Sequence, residues 1–370
     1  MREYIVFCYN MLTLTRSIYY ADNVWGRKHT HIYYSDVFSK LPPKIKKDYS
    51  ISVISRDGLD KERGVRAIID SCLWTRDLCE QIEKTTSNYD DITLVIFRDN
   101  ELQEASLIDH LKHRCKCSIQ ICLFEEGAGL YAKSKAPTRY RSIKRVIYSI
   151  FRLSKYSLLD RTQGLNENVN VVICNKPEEY LAKRTNDNGI IVEKMENVFT
   201  QELSEYITES IIENTVSTRK YDFVFLTQPF TNFRDDIESL NETYEVLLPK
   251  IFSILSQRGE VLIKLHPREE YDYSKFANEH IFVSTEQEKS VPFECLMTNY
   301  GYPQMVSMFS SVSFNISTTK PSIFLYKLFR IPHSASLFNE DDLAERNIIV
   351  CHSIEEFDEV INNDMKGRIT

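Results

Sequence analysis

Residues 118–129 read SIQICLFEEGAG, an apolar run that stops abruptly at two adjacent carboxylates and a glycine-rich turn. The run is apolar on successive residues, not on alternate ones. That is the pattern of a strand covered on both faces, as in a parallel sheet flanked by helices. Neighbouring carboxylates repel and are costly to bury, so Glu125 and Glu126 need either open solvent or a task. Gly127 and Gly129 imply that a backbone or a ligand comes close there.

Similar runs flank this one: YIVFCY (4–9), SISVIS (50–55), ITLVIF (92–97) and VNVVIC (169–174), separated by helix-length segments such as Leu59–Lys84 and Glu101–Arg114. After a polar, strand-poor stretch from Arg184 to Lys220, the rhythm restarts with FVFLTQP, EVLIKLHP, HIFVS and NIIVC. The expected fold is therefore α/β with two Rossmann-like domains, 1–215 and 216–370, facing each other across a cleft. No repeat of fixed period and no low-complexity tract interrupts them. In such sheets ligands bind beyond the carboxyl ends of the strands. That rule selects Glu125 and Glu126 after QICLF, Thr227 and Gln228 after FVFL, and His266 after VLIKL.

Composition narrows the function classes. The chain has 370 residues, 42% hydrophobic and 12% aromatic, which fits a globular protein long enough for two cores. A net charge of -7 argues against a nucleic-acid partner, which requires a basic face. Nine scattered cysteines, mostly within apolar runs, indicate buried thiols in a reducing compartment. His110, His113, Cys115 and Cys117 lie close in sequence, but a helix end followed by a strand start accounts for them without a metal. No apolar stretch is long enough to span a bilayer, and Tyr and Asn interrupt the N-terminal run, so a cytoplasmic location is expected.

Three groups carry chemistry. His266 is followed by Pro267, which favours a strand-to-helix junction with the ring turned toward the cleft, and Lys264 and Arg268 add positive charge. Ser310 and Ser311, in MFSSVSFN (308–315), offer hydroxyls and free main-chain N–H groups if a helix begins there, either as an anion cradle or as an N-cap. No Asp-x-Asp motif and no Gly-x-Gly-x-x-Gly fingerprint is present, which removes the usual cues for a metal-bound diphosphate and for a dinucleotide. A carboxylate site, a histidine site and a serine site together suit group transfer from a phosphate-activated donor.

The ordered set EEG (125–127), HP (266–267) and SS (310–311), with VFCY (6–9) opening the first domain and LTQP (226–229) the second, resembles bacterial sialyltransferases, closest to glycosyltransferase family 52, the lipooligosaccharide and capsule type. The likeness runs from residue 5 to about 320. It implies a GT-B-like, inverting, metal-free enzyme that uses CMP-sialic acid as donor and has no cofactor. By position it makes Glu125 the general base and His266 the group that contacts the CMP phosphate and serves as its acid. Ser310 and Ser311 would hold that phosphate, Lys264, Arg268, Thr227 and Gln228 would line the donor site, and Glu126 and Gly127 would shape the loop. In this picture the paired acids are tolerated because the strand end opens into a cleft, one of the pair has a raised pKa, and the glycines leave room for a sugar. One departure stands: where some members carry an acid after the strand matching VFLT, this chain has Phe230, with Asp235 and Asp236 later, and these are the rival bases.

Residues 133–155 hold eight Lys or Arg and no acid, with amphipathic helical spacing from Ser142 on. They form either a solvated basic helix or an attachment to anionic lipid at the inner face of the membrane. The expected partners are thus a CMP-sugar donor, an oligosaccharide or lipid-linked glycan acceptor and an anionic membrane surface, with a homodimer left open. Two alternatives stand beside this reading: a Kdo-type CMP-sugar transferase, and a non-catalytic glycan- or nucleotide-binding protein.

Overall fold

The computed structural model describes residues 2–36, 39–54, 65–131, 146–147, 150, 163–183, 189–213, 219–229, 237–316, 318–329 and 339–366. They form two compact units, Met1–Val198 and Phe199–Thr370. The helix Gln201–Ile211 therefore lies in the second unit, where it packs on the helix Phe293–Leu296.

The first unit is a parallel sheet of seven strands: β1 (Glu3–Cys8), β2 (Thr30–Ser35), β3 (Ile51–Ile54), β4 (Asp91–Ile96), β5 (Ser118–Phe124), β6 (Val171–Cys174) and β7 (Ile191–Lys194), in the order β3-β2-β1-β4-β5-β6-β7. Ile5 pairs with Leu94 and Leu94 with Ile121, and all three are fully buried. Burial on this scale is worth about 1.5–3 kcal/mol per side chain, and it explains why these strands are apolar on both faces. The helices Met11–Tyr20, Val65–Thr86 and Leu102–Arg114 connect them.

The second unit repeats the scheme with β8 (Phe223–Leu226), β9 (Val261–Lys264), β10 (Ile281–Val283), β11 (Gln304–Ser307), β12 (Ser322–Phe324) and β13 (Ile348–Val350), in the order β10-β9-β8-β11-β12-β13. All its pairings are parallel. Both sheets reverse direction after their first strand, between β1 and β4 and between β8 and β11, which is the Rossmann order with its ligand crevice at the switch point.

Four strands escape the sequence pattern. β2 (THIYYS) is rich in polar and hydroxyl-bearing side chains, β7 is an exposed edge, and β11 (QMVS) and β12 (SIF) hold only two apolar residues each. The stretch 184–220, read as strand-poor, holds β7 and the helix Gln201–Ile211 among its described residues. The junction at His266 also differs from expectation. Pro267 does not open a helix; the Glu269 N–H donates to the His266 carbonyl at 2.8 Å, closing a turn with Pro267 in its second position, where proline's fixed φ is favourable.

The nine cysteines are free thiols, and all but Cys115 and Cys117 are buried. His110 bonds Glu83 at 2.7 Å, and His113 the Asp109 carbonyl at 2.8 Å. Among the described residues no helix is long and apolar enough to cross a membrane.

Candidate active site

At the carboxyl edge of the first sheet the two acids have different fates. Glu125 is fully buried. Its Oε2 accepts from the Tyr131 hydroxyl at 2.5 Å and the Asn175 main-chain N–H at 2.6 Å, and its Oε1 from the Asn175 carboxamide at 2.9 Å. The strand end is thus closed over Glu125 by the residue following β6 and by the turn after β5, and burial is tolerated because the carboxylate is hydrogen-bonded. This replaces the expectation that solvent reaches it directly.

Glu126 is half-buried and bridges the switch point. Arg98, two residues beyond β4, donates to it twice, at 2.7 and 3.1 Å, and Asn10, two residues beyond β1, donates at 2.9 Å. Asn10 is also the N-cap of the helix Met11–Tyr20, accepting from the Thr13 N–H at 2.8 Å, so its side chain is oriented from both ends. The Arg98 guanidinium lies 4.5 Å from the Tyr9 ring centroid. Burial alone would push the Glu126 carboxyl up, but the Arg98 charge and the bonds from Arg98 and Asn10 outweigh it and hold it below the usual range. A raised value is instead found at Glu104, in the first turn of the helix Leu102–Arg114. Burial and the neighbouring Glu101 push it to about 8, against the pull of Arg98.

Gly127 is buried, and its carbonyl accepts from the Leu130 N–H. A Cβ on Gly129 would come within 2.5 Å of the Gln163 carboxamide, whose nitrogen donates to the Phe97 carbonyl at 3.1 Å. The glycine at 129 therefore makes room for protein, not for a sugar.

In the second unit, His266 and Thr227 meet directly: the His266 main-chain N–H donates to Thr227 Oγ1 at 2.9 Å, and the Thr227 N–H to the Lys264 carbonyl at 3.1 Å. The Arg268 N–H donates to His266 Nδ1 at 3.1 Å, which leaves the imidazole proton on Nε2. Burial, then the charges of Arg268, Lys264 and Lys289, hold the ring neutral, at about 3. Lys264 is itself buried, its Nζ donating to the Leu265 and Lys289 carbonyls, each at 3.2 Å; burial draws it down to about 8, with Glu288 and Glu294 opposing. Two of its three N–H donors are thus spent on the main chain, and it lends charge to the site. Gln228 is half-buried and Arg268 exposed.

Ser310 is buried, its Oγ accepting from the Val312 N–H at 3.3 Å, and Ser311 is the N-cap residue of the short helix Val312–Asn315. Both follow β11, across the switch point from Thr227 and at the same edge of the sheet as His266. Phe230, Asp235 and Asp236, and the basic run 133–155 apart from 146, 147 and 150, lie outside the described residues.

Sequence reasoning missed Asn10, Arg98, Tyr131 and Asn175. Asn10, Arg98 and Asn175 follow strands that were recognised, so the rule that selected Glu125 and His266 would have found them. Tyr131 carries no sequence signal.

The family model described as alpha-2,8-polysialyltransferase (POLYST) matches residues 52–318. No curated protein sequence matches the chain. Among solved structures, a 2,6-sialyltransferase of a Photobacterium species, in a ternary complex with the donor product CMP and the acceptor substrate lactose, is similar with a TM-score of 0.55 at 12% identity, over 94% of this chain and 78% of that one. The GT-B domain of the sialyltransferase from Photobacterium damselae is similar with a TM-score of 0.50 at 11% identity, over 94% and 98%. A UDP-GlcNAc 2-epimerase from Neisseria meningitidis, bound to UDP-GlcNAc, gives 0.50 at 10% identity, over 99% and 91%. At these identities the likeness shows the fold alone, two Rossmann-like α/β units of GT-B type.

Proposed function

The chain belongs to the alpha-2,8-polysialyltransferase family, and from that premise we propose that it is an inverting sialyltransferase moving sialic acid from CMP-sialic acid to a terminal galactoside of a surface glycan such as lipooligosaccharide or capsule. Within the sialyltransferases, the order of the EEG, HP and SS motifs supports a place near glycosyltransferase family 52. A second reading, extension of a sialic-acid-terminated chain in α-2,8 linkage, is favoured by the family model itself.

The observation that carries the proposal is the state of His266. Its Nδ1 is capped by the Arg268 N–H, so Nε2–H is the ring's donor, and the ring is neutral. A neutral donor costs little to bury, and an arriving phosphate offsets Arg268, Lys264 and Lys289 and draws the imidazole pKa up. His266 then stabilises the charge that develops on CMP as the glycosidic bond breaks. Ser310, Ser311, Thr227, Gln228 and Arg268 complete the donor site, with Lys264 supplying field. CMP carries one phosphate, so these groups suffice without a metal or other cofactor. Glu125 is the base that takes the acceptor hydroxyl proton while the sugar passes through an oxocarbenium-like state. Residues 133–155 attach the enzyme to anionic lipid, where a lipid-linked acceptor resides.

Mass spectrometry of products tests this. The chain is incubated with CMP-sialic acid or CMP-Kdo, a panel of galactosides and sialylated galactosides, and excess EDTA. We expect one sialic acid added per turnover from CMP-sialic acid, undiminished by EDTA. Transfer from CMP-Kdo alone, no transfer from either donor, or turnover abolished by EDTA and restored by Mg²⁺ would contradict the proposal.

A further inference from the structure

Two residues supply every hydrogen bond that Glu125 accepts from described groups, and they divide its oxygens unequally. Oε2 is held by a phenol and a main-chain N–H, at 2.5 and 2.6 Å. Neither is readily withdrawn, because the Tyr131 hydroxyl is itself fixed by the Lys176 N–H at 3.0 Å. Among the described residues Oε1 has one partner, at 2.9 Å, the side-chain amide of half-buried Asn175, which a change of rotamer removes. A carboxylate pinned at one oxygen and shuttered at the other is oriented without being blocked.

We propose that Tyr131 is a positioning residue for Glu125: with the Asn175 N–H it pins Oε2, and so assigns Oε1, uncovered when the Asn175 carboxamide turns, as the oxygen that receives the acceptor's proton. This deepens, and rests on, the reading of Glu125 as the base. Burial and Glu125 push the Tyr131 phenol far above its ordinary value, and burial pushes the Cys174 thiol up to about 12. From the helix Pro177–Lys183 side, Lys176 Nζ pairs with Glu179 at 2.6 Å, and Glu178 acts on Cys174. From the β4 side, Arg98 is engaged by Glu126, and Glu104 is coupled to that pair.

The test is the pH dependence of kcat/KM for transfer in Tyr131→Phe and Asn175→Ala. Each variant deletes one donor to the charged carboxylate, which favours the protonated form. We expect the acid limb to move to higher pH by about one unit in each, with the plateau rate within about tenfold of wild type and CMP affinity unchanged. A side chain that only packs would lower the rate at every pH and leave the limb in place. If Tyr131→Phe does not fold, the Asn175→Ala limb decides alone. An unmoved limb overturns the assignment of the cradle while leaving the base intact. A Glu125→Gln enzyme that transfers at the wild-type rate overturns the base reading instead.

Discussion

A histidine held neutral is a hydrogen-bond donor first. His266 owes that state to burial and three neighbouring cations, and its tautomer to one main-chain N–H. Replacing it by alanine removes the Nε2 donor but leaves Ser310, Ser311 and the main chain in place. We therefore expect His266→Ala to lower kcat by about two to four orders of magnitude with a smaller loss of CMP affinity, measured by steady-state kinetics beside titration calorimetry. Turnover near that of wild type would remove His266 from the mechanism. His266 was visible in the sequence because it ends an apolar strand, and Glu125 for the same reason. What the sequence hid was the environment. That Glu125 is enclosed by Tyr131 and Asn175, and that Glu126 is bound to Arg98, depends on the turn after β5 for Tyr131 and on the sheet for Asn175 and Arg98, 50 and 28 positions away.

The elements show how the edge of the first sheet is fastened. Asp99, three residues past β4, accepts from the Gly164 N–H at 2.8 Å and the Asn166 N–H at 3.0 Å, and the Gly164 carbonyl accepts from Tyr180 at 2.6 Å. Gly164 has φ +85, and a Cβ there would lie 2.7 Å from Leu130 and 2.8 Å from Tyr180, both fully buried. Gly164→Ala should destabilise the first unit by about 2–4 kcal/mol, combining left-handed strain with overpacking. A urea midpoint equal to that of wild type would contradict this packing. Of the elements, the long apolar strands were legible because burial on both faces leaves a continuous signature. β7 (IVEK) and β12 (SIF) were not, because each holds only two apolar side chains, too few to mark a strand.

At the scale of the molecule, one buried group in each unit links folding to pH, and the two act in opposite senses. Glu104, in the first, has a folded value of about 8, above its ordinary 4.5. Its favourable contribution is fully present below about 4.5 and is lost as pH rises to about 8. His266, in the second, has a folded value of about 3, below 6.5, so its contribution is present above 6.5 and is lost as pH falls toward 3. Glu104→Gln should thus flatten the decline of the first unit between pH 5 and 8, recovering on the order of 3 kcal/mol. Equal declines in variant and wild-type urea midpoints would refute this. The presence of two α/β units was legible from the strand rhythm, whereas their strand order, and the assignment of the helix Gln201–Ile211 to the second unit through its packing with Phe293–Leu296, have no sequence marker.

In the proposed mechanism one carboxylate at the end of β5 activates the acceptor while the second unit manages the donor. Glu125→Gln keeps shape and most hydrogen bonds but removes basicity, so transfer and donor binding should separate. The measurement is the transfer rate of Glu125→Gln beside its CMP affinity, with Asp235→Asn and Asp236→Asn in parallel. Transfer should fall by roughly a hundredfold or more in Glu125→Gln, with CMP affinity within a few-fold of wild type and smaller losses in the two aspartate variants. Normal transfer by Glu125→Gln, with the larger loss at Asp235 or Asp236, would contradict it.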